Sequence, residues 1–179
     1  MNAVTLRPMR AGDADAVAAL HAASWRSAYR GMLTDDFLDN GVVADRQALW
    51  RERLLGPANA PAFGIVAEEA GGRLVGFTYV LLQHDPVWGS LVDNLHVDPG
   101  HKGGGIGRQL LQAVAGQLGA GHTQPVFLWV LDANEPAKRF YARMGAEFAE
   151  QSMAPPFGGV SLPEWRCVWR KPSALLADA

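Results

Sequence analysis

An α/β (α+β) fold, a mixed sheet with helices on both faces, is the architecture this chain predicts, and three patterns predict it. Two strand-like runs, residues 63–69 and 74–82, are joined by Ala70-Gly71-Gly72-Arg73, a glycine turn that closes an antiparallel hairpin. Residues 91–144 then alternate strand, helix, strand and helix, and consecutive strands separated by a helix run parallel. Two further strand-like runs, 146–152 and 165–171, return the sheet to antiparallel pairing. At 179 residues, 49% hydrophobic and 19% charged, the chain can bury a good core. One domain over residues 1–172 with an Ala-rich tail at 173–179 is the expected organisation.

Each element has a local reason. Val4-Thr5-Leu6-Arg7 reads as the first strand. Asp13 can cap a helix running to Trp25, with Val17, Leu20 and Ser24 on one side. Thr34-Asp35-Asp36 offers a start for a second helix, and residues 44–55 read as a third. After the 91–97 strand, residues 105–118 keep Ile106, Leu110, Leu111, Val114 and Leu118 on one helical face. Val126–Leu131 is a short unbroken apolar run, read as a buried strand. In the helix over 134–144, Asn134 is a good cap, Pro136 is tolerated in the first turn and Gly145 is a good stop. Ala137, Phe140, Tyr141 and Met144 share one face of it. Trp50, Trp129 and Trp169 read as core, whereas Trp88 and Trp165 are expected to reach a pocket.

Chemistry concentrates in Lys102-Gly103-Gly104-Gly105-Ile106-Gly107-Arg108, directly after the strand ending Val97-Asp98-Pro99. A glycine turn feeding a helix start gathers unpaired N–H groups and the positive end of the helix dipole, an arrangement that holds phosphate. Glycines allow close backbone approach, and Lys102, Arg108 and nearby His101 add cationic charge. No residues supply the Walker order Gly-x-x-x-x-Gly-Lys followed by Ser or Thr. The dinucleotide pattern Gly-x-Gly-x-x-Gly also fails, because Arg108 and Leu110 stand where the third glycine belongs.

These residues resemble the GNAT superfamily of acyl-CoA-dependent N-acetyltransferases, whose pattern is Gln/Arg-x-x-Gly-x-Gly/Ala after a Val-x-Pro strand end. Lys102, Gly105 and Gly107 occupy the matching positions. Lys102 departs from the usual Gln or Arg, keeping the charge but losing the planar fork. The family's second hallmark, Asn-x-x-Ala-x-x-Phe-Tyr-x-x-x-Gly, matches Asn134, Ala137, Phe140, Tyr141 and Gly145. The resemblance runs from Leu6 to Arg170. It implies a mostly antiparallel sheet in which two parallel strands, 91–97 and 126–131, splay apart around the pantetheine of acetyl-CoA.

By the same resemblance, Lys102, Gly103, Gly104, Gly105, Ile106, Gly107 and Arg108 would hold the pyrophosphate. Leu95, His96 and Val97 would provide backbone partners, including N–H donors for the oxyanion that forms when an amine attacks a thioester. Asn134 and Ala137 would meet the pantetheine arm. Tyr141 would sit beside the sulfur as the acid for the departing thiolate. The implied activity is direct acetyl transfer from acetyl-CoA to a primary amine of a small molecule or peptide within a ternary complex. For the proton that the amine must lose, Asp93 is the first candidate, followed by Glu68 and Glu69, then His96. The stretch 24–37 resembles the acceptor wall of one branch of the superfamily, which makes Trp25 and Tyr29 an aromatic wall and Asp35 or Asp36 a group that attracts a cation.

The remaining features bound these expectations. A net charge of −2 gives no reason to expect nucleic acid or a membrane as a partner. Cys167, the single cysteine, lies in an alternating strand-like run and reads as a buried thiol, which rules out a cysteine cluster and argues against an acetyl-enzyme. No His, Asp or Glu spacing suggests a metal site. The first residues carry no apolar signal core, so a cytoplasmic location is expected, and a homodimer is open to such a chain. Two other classes remain: a non-catalytic acyl-CoA-binding sensor or regulatory module, and a protein-interaction domain whose glycine turn binds nothing.

Overall fold

The computed structural model describes residues 4–57 and 60–176. Seven strands form one sheet in the order β1-β2-β3-β4-β5-β7-β6. They are β1 Val4–Pro8, β2 Ala62–Glu69, β3 Leu74–Asp85, β4 Gly89–Val97, β5 Val126–Leu131, β6 Glu147–Met153 and β7 Pro163–Trp169. Four helices, α1 Ala14–Ala28, α2 Val42–Leu55, α3 Ile106–Leu118 and α4 Glu135–Arg143, cover it. All pairings are antiparallel except β4 with β5. No helix among the described residues is long and apolar enough to cross a membrane.

Cross-strand alternation sorts the side chains onto two faces. One face packs under α3 and α4, where Leu110, Leu111, Val114, Val126, Leu128, Cys167 and Trp169 are buried together. Full burial of each aliphatic side chain there is worth about 1.5–3 kcal/mol. Gly76 on β3 lets α3 settle, since a Cβ would stand 2.9 Å from Ile106 Cγ2. The other face carries Val66, Phe77 and Tyr79 against Val17, Leu20 and Trp50 of α1 and α2.

The parallel contact between β4 and β5 is short. Only Ser90 with Val126 and Leu91 with Phe127 are in register. Gly89 draws the two strands together at this end: its φ is +73°, and a Cβ there would lie 2.1 Å from the Pro125 carbonyl oxygen. Beyond Leu91 the register between β3 and β4 shifts, so Tyr79 faces Asn94 while Val80 faces Val92. The extra residue, Asp93, is a bulge that bends β4 away from β5. The splay implied by the family resemblance therefore exists, and Gly89 and Asp93 explain its position.

Three details differ from the sequence expectation. The predicted second and third helices merge, because a π-helical turn over Phe37–Gly41 runs directly into α2, and Gly41 keeps helical angles. Trp129 is half-buried: it packs on the buried cluster of Leu91, Phe127 and Val168, as a core residue would, but also lines a cleft. Residues 173–176 are no loose tail: Pro172–Leu176 forms a short 3₁₀ turn whose Leu175 is fully buried in the α3 core. The last tail residues, 177–179, lie outside the described residues.

Candidate active site

A cleft of about 890 Å³ opens where β4 and β5 diverge, within the range of sites that enclose a large small-molecule ligand. Leu95, His96 and Val97 of β4 form one wall, and Trp129 and Val130 of β5 the other. Strand alternation sets what β4 presents. The Asp98 N–H donates to the Val75 carbonyl on the β3 side, so Leu95 and Val97, odd positions in the same strand, turn their backbone N–H and C=O toward the gap. His96 instead pairs with Phe77 and sends its imidazole to the α1 face.

At one end of the cleft is the glycine turn. Lys102, Gly103, Gly105, Ile106, Gly107 and Arg108 line it, and Gly104 completes the loop. Gly103 and Gly105 have φ of +82° and +80°, which a Cβ would strain. No backbone carbonyl among the described residues receives the N–H groups of Gly103, Gly105, Ile106 or Gly107. Four donors thus face open space at the positive end of α3, a cradle suited to a pyrophosphate. Gly107 also allows α3 and α4 to meet, because a Cβ would lie 3.3 Å from Phe140 Cζ.

At the other wall, Asn134 caps α4 by accepting the Ala137 N–H at 3.3 Å, and both residues line the cleft. One turn on, Tyr141 is buried yet reaches the same cleft. Its phenol makes no side-chain hydrogen bond among the described residues, and burial, reinforced by Tyr29 and Cys167, pushes its pKa well above the usual value. The hydroxyl therefore keeps its proton through neutral pH and can donate it. Tyr29, at the end of α1, faces Tyr141 across the cleft, its pKa pushed up to about 12 mainly by burial.

The acceptor-wall residues come together only in part. Trp25 packs edge-on against Tyr29 at 5.2 Å and lies under the Arg46 guanidinium at 4.2 Å. The β6–β7 loop closes on them, with Phe157 5.4 Å from Trp25. Asp35 stands apart: it is exposed and held by Arg30 at 2.9 Å, with Asp39 on the same guanidinium at 2.7 Å. Asp36 accepts from Asn40. Trp88 stacks on Arg166, and Trp165 donates its indole N–H to Asp132, so neither lines the cleft.

The proposed bases are also dispersed. Asp93 points from its bulge to Arg53, 2.6 Å away, and does not line the cleft. Glu68 is bound by Arg7 at 2.7 Å, and Glu69 by Arg73 and His101. His96 does line the cleft, hydrogen-bonded through Nδ1 to Ser24 Oγ at 3.0 Å and stacked on His21 at 4.3 Å. Burial, then Arg46 and Lys102, push its pKa down to about 3, so a neutral imidazole at that level takes no lasting proton from an ammonium. Glu164, unmarked by any sequence motif, lies outside the residues that line the cleft. It is half-buried on β7, and burial raises its carboxyl pKa. Only the β5–β7 register, which sets it opposite Leu131, would have marked it.

Residues 14–146 match the model of the Acetyltransferase (GNAT) family. A stretch of 88 residues is 39% identical to streptothricin acetyltransferase of Streptomyces lavendulae, covering 46% of this chain and 43% of that protein, under half its length. The fold is similar to the PaiA N-acetyltransferase of Thermoplasma acidophilum in complex with coenzyme A, with a TM-score of 0.72 at 16% identity over 93% of this chain and 98% of that one. It is also similar to a mutant form of the spermidine N-acetyltransferase SpeG of Vibrio cholerae, with a TM-score of 0.68 at 19% identity over 97% and 96% of the two chains. A family match over most of the chain, a splayed β4–β5 pair and an amide cradle at the start of α3 agree: the chain belongs to the GNAT family of acetyltransferases.

Proposed function

We propose that the protein transfers the acetyl group of acetyl-CoA to a primary amine of a small molecule or peptide, by direct attack in a ternary complex. The observation that carries this reading is the single cleft that joins the glycine cradle, the open edge of β4 and Tyr141. Acetyl-CoA would supply an activated acyl group and a thiolate leaving group. The amides of residues 103–107 would take its pyrophosphate, with Lys102 and Arg108 adding positive charge. Leu95 and Val97 offer outward backbone groups to the pantetheine arm, and an N–H there can face the oxygen on which charge develops. Tyr141 holds the proton that the departing sulfur needs.

The named relatives support an amine acceptor, since streptothricin and spermidine both carry amino groups. The buried Cys167, its thiol pushed up to about 12 by burial, cannot readily form the thiolate of an acetyl-enzyme. Steady-state thiol release with acetyl-CoA and a panel of primary amines tests the reading. Turnover with at least one amine is expected. CoA binding with no turnover across a broad panel would favour the non-catalytic sensor, and no CoA binding would remove both.

A further inference from the structure

We propose that the Ser24 hydroxyl is the hydrogen-bond acceptor that seats the attacking amine, with His96 as the residue that positions it. This rests on reading the cleft as the acetyl-transfer site. No aspartate or glutamate is among the residues that line the cleft, whereas Ser24 and His96 both are. An amine nitrogen there needs a neutral acceptor, because a desolvated N–H left without one is costly. His96 Nδ1 lies 3.0 Å from Ser24 Oγ. Burial, then Arg46 and Lys102, keep that imidazole neutral through neutral pH, so one ring nitrogen is bare and can take the hydroxyl's hydrogen bond. A serine that donates to His96 keeps two lone pairs, and no other described residue hydrogen-bonds Ser24 Oγ.

Packing holds both groups in place. The His96 ring packs on His21 at 4.3 Å and on Phe77 at 5.4 Å. His21 is itself fixed: fully buried, it accepts the Trp50 indole N–H on Nδ1 at 3.0 Å. His21, Ser24 and Ala28 follow one another on one face of α1, three and four residues apart, and Ala28 lines the cleft as Ser24 does. His96 stands between Leu95 and Val97, whose backbone groups face the gap, and sends its ring to the α1 side of β4. The hydroxyl it holds therefore sits beside the pantetheine path, on the face opposite α3 and α4, where an acceptor can approach without crossing the cofactor. Ser24 takes no proton there. It accepts a hydrogen bond from the nitrogen and so aims the nitrogen lone pair at the thioester carbon.

The test uses two CoA derivatives alkylated on sulfur, one carrying an N-butylacetamide group and the other the matching butyl acetate group. The amide puts an N–H where the attacking nitrogen would be, and the ester puts an oxygen there. By calorimetry the wild type should bind the amide about fivefold more tightly than the ester, and Ser24→Ala should bind the two equally with its CoA affinity unchanged. His96→Leu should lose part of the preference, and His96→Asn, which can keep a hydrogen-bonding atom toward Ser24, should retain more of it. Added to Ser24→Ala, His96→Leu should change the ratio no further. Equal wild-type binding, an ester preference, or a ratio that Ser24→Ala leaves unchanged overturns the proposal; the last is what a packing role alone would give. A Ser24-dependent amide preference in a protein that releases no thiol from acetyl-CoA with any amine would sink acetyl transfer and leave the contact standing.

Discussion

Replacing Tyr141 with phenylalanine is expected to lower turnover by about a hundredfold or more while leaving CoA affinity nearly intact. The ring would still fill its place: it packs on Phe140 at 5.2 Å and edge-on to Trp169 at 6.2 Å, and neither contact uses the hydroxyl. Because no described residue hydrogen-bonds the phenol, its removal leaves no orphaned partner, so stability should hardly change. What is lost is a neutral proton donor in the cleft. Burial keeps that donor protonated, so the loss should persist across the whole pH range in which the enzyme is folded. Comparing kcat with the calorimetric Kd for CoA checks this. Unchanged turnover across pH would remove Tyr141 as the acid, whereas equal losses in turnover and CoA binding would make it a packing residue.

Gly105→Glu is expected to weaken CoA binding by at least about a hundredfold, the combined effect of backbone strain and of a negative charge placed beside a diphosphate. The site shows why both contribute. Gly105 sits at φ +80°, where a side chain is strained, and its amide is one of the four that face the cleft. A Cβ would meet nothing closer than Gln109 Nε2 at 4.0 Å, so no clash blocks folding. Strain of about 1–2 kcal/mol is small against a typical domain stability. Gly105→Lys carries the same strain with the opposite charge and should retain much more affinity. Equal losses in the two variants would make the loop's shape, not its charge, the cause. Full retention by Gly105→Glu would place the pyrophosphate elsewhere.

How much of this was legible in the sequence depends on distance along the chain. The glycine cradle and the α4 cap were readable because each is local: Gly105 precedes its own helix, and Asn134 caps its own first turn. Secondary structure followed for the same reason, within a residue or two at most ends. The splay was only implied by the family likeness, because it depends on Gly89 meeting Pro125 and on a bulge at Asp93, neither of which periodicity encodes.

Charge pairing was the least readable feature. Asp93 looked free beside the cofactor loop, yet Arg53 of α2 folds onto it; Asp35 looked ready for a cation, yet Arg30 already occupies it. The unbroken apolar run of β5 hid which of its residues face the cleft, so Trp129, which does pack on a buried cluster, gave no sign that it also lines the cleft. Glu164 likewise lay beyond motif reading, since only the sheet register sets it opposite Leu131.

A crystal structure of the protein with CoA tests the central claim most directly. The account predicts the pyrophosphate within hydrogen-bond distance of the amides of Gly103, Gly105, Ile106 and Gly107, with the pantetheine running between β4 and β5 toward Tyr141. A pyrophosphate bound on another surface, with those amides facing solvent, would contradict it.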